Sequence, residues 1–88
     1  MLLFVKTSNS FSSNIIIPVG RIYDIWAANC HININYDSGE LIETELGYQK
    51  KLETITVVFN SADEVNKTLR QFYKACNNKA GAFYFGTN

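Results

Sequence analysis

Hydrophobic and polar residues alternate along much of this chain, a pattern typical of β-strands whose two faces meet different surroundings. The alternation is cleanest over Glu53–Phe59, where Ile55, Val57 and Phe59 share one side and two threonines and a valine share the other. This pattern predicts a strand that turns its three odd-numbered apolar side chains toward a core.

Two short runs near the start of the chain predict two further strands. Residues 2–6 are mostly apolar and are followed by a polar loop that we expect to reach Ser13. Ile15–Ile17 form the second run, because consecutive β-branched side chains fit a pleated sheet better than a helix. Pro18 lacks the backbone donor that a central strand needs, so the Pro18 end should be a sheet edge or a turn.

Residues 21–36 contain neither glycine nor proline, and apolar side chains dominate their even positions. An unbroken strand of this length would span about 50 Å, so we predict a turn or bulge near Ala28–Asn29. The odd positions Tyr23, Ile25 and Ala27 are apolar and those beyond Ala27 are polar, which predicts that the first part is covered on both faces and the second on one. The even-position apolar residues are Ile22, Trp26, Ala28, Cys30, Ile32, Ile34 and Tyr36.

The segment Asp37–Glu40 has the composition of a turn, with Gly39 available for a positive φ angle. We therefore predict a hairpin here, with the sheet continuing through residues 41–47. Tyr48–Lys51 is then expected to be a connection that leads into the Glu53 strand.

One amphipathic helix is predicted to begin at Ser61, where Ser61 and Glu64 form a capping box. Asn77–Asn78 should end it, and Ala80–Gly86 should supply a final aromatic strand. Apolar residues at helical spacing predict one buried face. They are Val65, Leu69, Phe72 and Cys76, broadened by Ala62 and Tyr73.

These elements predict an α+β fold in a single small domain, residues 1–88. We expect an antiparallel meander of five to six strands, with the C-terminal-half helix packed on one face and the short final strand returning to the sheet. A strand with RIYDIW, a hairpin around INYDSGE, a strand ITVVF and then NSADEVNKTLRQFYKAC follow one another along the chain. This order is similar to that of small bacterial and phage proteins that place a strand meander before one helix. This resemblance carries over no functional residue.

The composition fits one packed domain, because 47% of its 88 residues are hydrophobic and 14% are aromatic. A domain of this size buries only about 60–65% of the surface that its unfolded chain exposes. Self-association is therefore a reasonable way for it to bury more.

The charges balance, with eight basic and eight acidic residues. This lack of a basic excess disfavours binding to duplex DNA. The two signs are nevertheless separated along the chain, which predicts surfaces of opposite charge that suit a symmetric oligomer or a charged partner. The acidic group is Asp37, Glu40, Glu43 and Glu45, and the basic group is Lys67, Arg70, Lys74 and Lys79.

The side chains that carry chemistry are few. His31 is the only histidine, and its neighbour Cys30 would point to the opposite face of a strand, which argues against a catalytic Cys–His couple. Cys30 and Cys76 are too far apart for any zinc-binding spacing, so we expect two reduced thiols. We find no glycine-rich phosphate loop in the sequence. We therefore expect no catalytic residue, no cofactor, no metal ion and no enzymatic activity.

The first five residues are apolar, but Lys6 interrupts them well before the length of a signal peptide or a membrane span. We therefore expect a cytoplasmic protein that does not enter a membrane.

The function that these observations favour is a small non-catalytic protein-interaction or homo-oligomeric module, whose partner is itself, as a dimer or larger oligomer, or another protein. The candidate partner surface consists of His31, Asn33, Asn35 and Tyr84. The alternative is a single-stranded nucleic-acid binder that stacks bases on an aromatic sheet face, although the charge balance disfavours nucleic acid. Its candidate aromatics are Tyr23, Trp26, Tyr36, Phe83, Tyr84 and Phe85.

Overall fold

A computed structural model describes residues 1–6 and 15–85 of the chain. These residues form six strands in two sheets and one helix, which confirms the predicted α+β class. The predicted polar loop up to Ser13 and the last predicted strand residue, Gly86, lie outside the described residues. In chain order the elements are β1 (Leu2–Val5), β2 (Ile15–Pro18), a short 3₁₀ turn (Val19–Arg21), β3 (Ile22–Ala28), β4 (His31–Thr44), β5 (Gly47–Val58), α1 (Ala62–Asn77) and β6 (Ala82–Phe85).

The first sheet has the order β2-β1-β6. β2 is antiparallel to β1 and lies at the edge, as Pro18 predicts, whereas β6 is parallel to β1. The strands therefore divide into two sheets instead of forming one meander, and one pair is parallel. A parallel neighbour requires a crossover connection, and α1 provides the last part of it before β6.

The second sheet has the order β3-β4-β5 and is antiparallel throughout. Its first turn confirms the break predicted near Ala28–Asn29, since Asn29 has a φ of 55° and β4 starts at His31.

The predicted hairpin turn at Asp37–Glu40 is wrong. β4 continues to Thr44 through an irregularity in register between Asp37 and Leu41. The turn-forming residues satisfy the backbone locally: the Gly39 N–H donates to Asp37 Oδ1 at 2.9 Å, and Ser38 Oγ donates to the carbonyl of Lys51 at 2.9 Å. The turn-forming residues Asp37–Glu40 therefore form a bulge inside a strand that continues on both sides of it.

The chain reverses instead at Glu45–Leu46, between the paired residues Thr44 and Gly47. The segment Tyr48–Lys51, predicted as a connection, is consequently part of β5.

Both sheets and the helix enclose one hydrophobic core. Ile55, Val57 and Phe59 are buried, which confirms the predicted parity of β5. The helical stripe is narrower than predicted, because Ala62 is exposed and Tyr73 is 51% exposed. The buried residues are Leu3, Val5, Ile17, Ile32, Ile34, Ile55, Val57, Phe59, Val65, Phe72 and Phe85.

The start of α1 confirms Ser61 as the cap of the helix. The Glu64 N–H donates to Ser61 Oγ at 3.2 Å, whereas Glu64 Oε2 accepts the N–H of Asn60, one residue before the cap, at 3.3 Å. The Ser61 side chain thus satisfies a backbone donor that the first helical turn leaves without a partner.

We expect Ser61→Ala to lower the free energy of unfolding by about 1 kcal/mol, because alanine offers no acceptor to the first turn. Urea denaturation monitored by circular dichroism measures this loss. Ser61→Asp keeps an acceptor and is the matched control, which should stay close to the wild type. An alanine variant as stable as the wild type would contradict a contribution of the cap.

Candidate interaction surface

The β3-β4-β5 sheet has one face away from the core, here called the open face. Residues opposite each other in the register share a face, so the pairings of Trp26 with Asn33 and of Asn33 with Thr56 place these three together. Alternation along β4 adds His31 and Asn35 to this face. Three of the four predicted partner-surface residues are therefore neighbours.

The expectation that the first part of residues 21–36 is covered on both faces is wrong, since Trp26 is 41% exposed and Tyr23 is 57% exposed. The two-residue turn at Asn29–Cys30 pairs Ala28 with His31, so odd-numbered residues of β3 lie opposite even-numbered residues of β4, and Ile25 lies opposite Ile34 on the core side. Trp26 consequently lies on the open face. The register shift between Ile22 and Asp24 only returns Ile22 to the core side, opposite Tyr36.

Polar side chains on the open face bond to one another. Thr56 Oγ1 donates to Asn33 Oδ1 at 2.7 Å, and Thr54 Oγ1 donates to Asn35 Oδ1 at 3.5 Å. The ring nitrogen Nδ1 of His31 lies 3.2 Å from the carbonyl of Ala28. In the described part of the chain, His31 forms no ion pair, and the structure shows no cluster of three His, Cys, Asp or Glu side chains suited to a metal ion.

Tyr84, the fourth predicted residue, lies on the other sheet. It is 71% exposed on the outer side of β2-β1-β6 and stacks on Phe4, with ring centroids 4.8 Å apart. Ile16, opposite Phe4 in the register, is 53% exposed. The predicted partner surface is thus split between two separate sheets.

The end of the β4–β5 hairpin, residues 41–52, carries apolar side chains that do not reach the core; we call it the arm. Sequence reasoning missed the arm because it placed the turn too early. Leu41 lies opposite Lys50, and Glu43 lies opposite Tyr48. The alternation of apolar and polar residues along these two strands is the sequence signal that could have revealed the arm. The exposed apolar residues of the arm are Leu41 (66%), Ile42 (43%), Leu46 (92%), Tyr48 (72%) and Leu52 (47%).

Charged side chains link the strands where the arm begins. Lys51 Nζ lies 3.4 Å from Glu40 Oε2 and 3.6 Å from Glu53 Oε1, and Lys50 Nζ lies 3.7 Å from Asp37 Oδ2. The hydrogen bond and charge of Glu40 raise the pKa of Lys51, and the charge of Glu53 adds to this effect. The two carboxylates therefore stabilise the charged form of Lys51 relative to a lysine that is free in water.

The Tyr36 hydroxyl donates to Glu53 Oε2 at 3.0 Å. Burial raises the pKa of Tyr36 above its ordinary value of 10.0, and the hydrogen bond and charge of Glu53 raise it further. The folded state thus binds this proton more tightly than the unfolded chain does.

This shift predicts a loss of stability at alkaline pH. The contribution is complete below the unfolded pKa of 10.0 and disappears as pH rises through the higher folded pKa. Urea unfolding between about pH 9 and pH 11 should show a shallower decline for Tyr36→Phe than for the wild type. Tyr48→Phe removes an exposed hydroxyl and is the matched control. Identical slopes for the wild type and Tyr36→Phe would contradict the linkage.

A groove of about 360 Å³ lies between the start of β3 and the C-terminal half of α1. Its lining is largely apolar and includes Phe72 and Cys76, with Tyr23 and Tyr73 also contributing. Cys30 and Cys76 are both free thiols, as predicted.

Among the residues that the structure describes, no helix combines the length and apolar character needed to cross a bilayer. The chain matches no protein-family model, no curated protein and no solved structure.

Proposed function

We propose that this chain is a small non-catalytic interaction module and that its partner is a second copy of itself. The arm carries the proposal. Leu46, Tyr48 and Leu41 are among the most exposed apolar side chains of the described residues, at 92%, 72% and 66%. Apolar side chains clustered outside the core are typical of surfaces that meet another protein.

Charge supports the same proposal. Glu43 and Glu45 on the arm and Lys67 and Arg70 on α1 form no ion pair with any described residue. A chain that presents uncompensated acids on one element and uncompensated bases on another offers each charge a complement on a second copy.

Sedimentation equilibrium of the full chain from micromolar to millimolar concentration tests the proposal. We expect the weight-average mass to rise with concentration toward that of a dimer. Leu46→Ser together with Tyr48→Ser should weaken the association, whereas Asn66→Ser, an exposed helix position, should not. A strict monomer at millimolar concentration would remove the proposal.

Single-stranded nucleic acid is the second candidate, and the observation in its favour is the 41% exposure of Trp26 on the open face. The charged residues that share this face argue against it, because Asp24 and Asp37 outnumber Lys50. A nucleic-acid binder would show quenching of Trp26 fluorescence by an unstructured oligonucleotide and a loss of binding in high salt. Titration that leaves the fluorescence unchanged would eliminate this candidate.

A further inference from the structure

The outer edge of β5 offers backbone hydrogen-bonding groups to a second strand. β5 pairs only with β4 in the described residues, and α1 packs mainly against β4 and β6, away from this edge. Residues 47–50 and 52–54 are exposed. A long uncovered edge of this kind is a template for pairing with another chain.

Two hydrogen bonds establish which backbone N–H and C=O groups of β5 point away from β4. The Phe59 N–H donates to the carbonyl of Cys30 at 2.7 Å, and the Lys51 carbonyl accepts Ser38 Oγ at 2.9 Å. The odd-numbered backbone groups of β5 therefore point toward β4. By the alternation of an antiparallel ladder, the N–H and C=O groups of Leu52 and the other even-numbered residues point toward the free edge.

We propose that two copies of this chain join edge to edge through antiparallel pairing of β5, with the two-fold axis at Leu52. This inference rests on the proposed self-association and specifies its surface. Leu52 would form a hydrogen-bonded pair with the partner's Leu52, and the two sheets would become one continuous six-stranded sheet.

The charge pattern of β5 selects this register. With the axis at Leu52, Lys51 lies opposite the partner's Glu53, and Glu53 lies opposite the partner's Lys51. These are non-hydrogen-bonded pairs, in which side chains approach most closely. Each attraction occurs twice because of the symmetry.

The neighbouring two-fold registers are repulsive. An axis at Lys51 places that lysine opposite the partner's Lys51, and an axis at Glu53 places two carboxylates opposite each other. Like charges directly opposite across strands are destabilising, so both alternatives are disfavoured.

The apolar side chains agree with the same register. Leu52 is 47% exposed on the open face and would meet the partner's Leu52 across the axis. Tyr48, 72% exposed on the same face, would lie opposite the partner's Thr56. Pairing thus covers apolar surface of the arm while its outermost residue, Leu46, remains beyond the paired segment 48–56.

Charge-reversal variants test the register by sedimentation. Lys51→Glu and Glu53→Lys should each weaken self-association at least about tenfold, because both symmetric pairs change from attraction to repulsion. Mixing the two variants should restore association as a heterodimer, since each brings the charge that the other needs. Lys6→Glu makes the same charge change on an exposed residue outside the proposed contact and should leave the dissociation constant within about twofold of the wild type. Lys67→Glu tests the alternative contact between the acids of the arm and the bases of α1.

Cysteine cross-linking tests the geometry directly, in a background with Cys30→Ser and Cys76→Ser. Leu52→Cys should form an intermolecular disulfide on mild oxidation, because Cα atoms of a hydrogen-bonded antiparallel pair lie about 5.5 Å apart. Tyr48→Cys is the matched exposed control on the same face. Its two copies would be roughly 27 Å apart and should remain unlinked.

The outcomes separate this inference from the proposal on which it rests. A cross-link at Leu52→Cys but not at Tyr48→Cys, together with heterodimer formation on mixing, supports the β5 edge. Undiminished self-association of Lys51→Glu and Glu53→Lys without the Leu52 cross-link overturns the edge and leaves self-association standing. Loss of association in Lys67→Glu alone overturns the edge in favour of a contact between arm and helix. A strictly monomeric wild type overturns both.

Discussion

Replacement of Phe72 by alanine should lower the free energy of unfolding by about 3–5 kcal/mol. Phe72 is 4% exposed and is the point where the helix meets the first sheet. Its ring makes edge contacts with Phe83 and Phe85, with centroid separations of 5.5 and 5.2 Å. Truncation removes these aromatic contacts and leaves a cavity between α1 and β6.

Urea denaturation followed by far-ultraviolet circular dichroism measures this effect. Tyr73→Ala is the matched control, because Tyr73 is the next aromatic on the same helix but is 51% exposed. Its substitution should have a clearly smaller effect. Since small domains have a total stability of only about 5–15 kcal/mol, Phe72→Ala should also lower the thermal midpoint steeply. Equal losses for the two variants would contradict the placement of Phe72 as the buried contact.

The second large effect is expected for Ile34→Asp, which should lower the free energy of unfolding by roughly 5 kcal/mol or more. Ile34 is fully buried on the central strand of the second sheet, between Ile25 and Ile55 in the register. A carboxylate there loses its hydration, and no described polar side chain of the core can compensate, because the buried residues are all hydrophobic.

Asn33→Asp is the control, because it makes a similar change on the adjacent residue of the open face. Asn33 accepts a hydrogen bond from Thr56, which an aspartate can also accept. We expect this variant to stay within about 0.5 kcal/mol of the wild type. Circular dichroism should show Ile34→Asp largely unfolded at neutral pH. Similar behaviour of the two variants would mean that the faces of β4 are assigned incorrectly.

Features that depend on neighbouring residues were predictable from the sequence. The Ser61 cap, the end of the helix at Asn77 and the parity of Ile55 and Val57 follow from side-chain chemistry and spacing. The turn at Asn29 follows from strand length and from the tolerance of asparagine for a positive φ. In each case, the residues that determine the feature lie within a few positions of it.

The β4–β5 hairpin was harder to predict because two turn signals compete. Asp37–Glu40 has the stronger turn composition, yet its side-chain hydrogen bonds support a bulge, and the reversal occurs at Glu45–Leu46. Only the pairing of β4 with β5 on both sides of the bulge decides between the two. Moving the turn converts Tyr48–Lys51 from a connection into an edge strand, and with it creates the arm.

The candidate surface was predictable only in part, because alternation within a strand can be read from the sequence whereas pairing between strands cannot. His31, Asn33 and Asn35 share a strand, so alternation alone places them on one face. Tyr84 lies on a different sheet, because β6 pairs with β1. The exposure of Trp26 follows from the two-residue turn at Asn29–Cys30, which reverses the parity between β3 and β4 because it pairs Ala28 with His31.

The sequence by itself determined the class of the fold, the helix with its cap, and the two faces of each regular strand, because these properties arise from side-chain periodicity and local hydrogen bonding. The tertiary structure alone decided the division into two sheets, the parallel placement of β6, the bulges in β3 and β4, and the uncovered edge of β5. The physical reason is that alternation determines which side chains of a strand share a face, but it does not determine which other strand pairs with that strand. That choice depends on the free energy of packing the whole core.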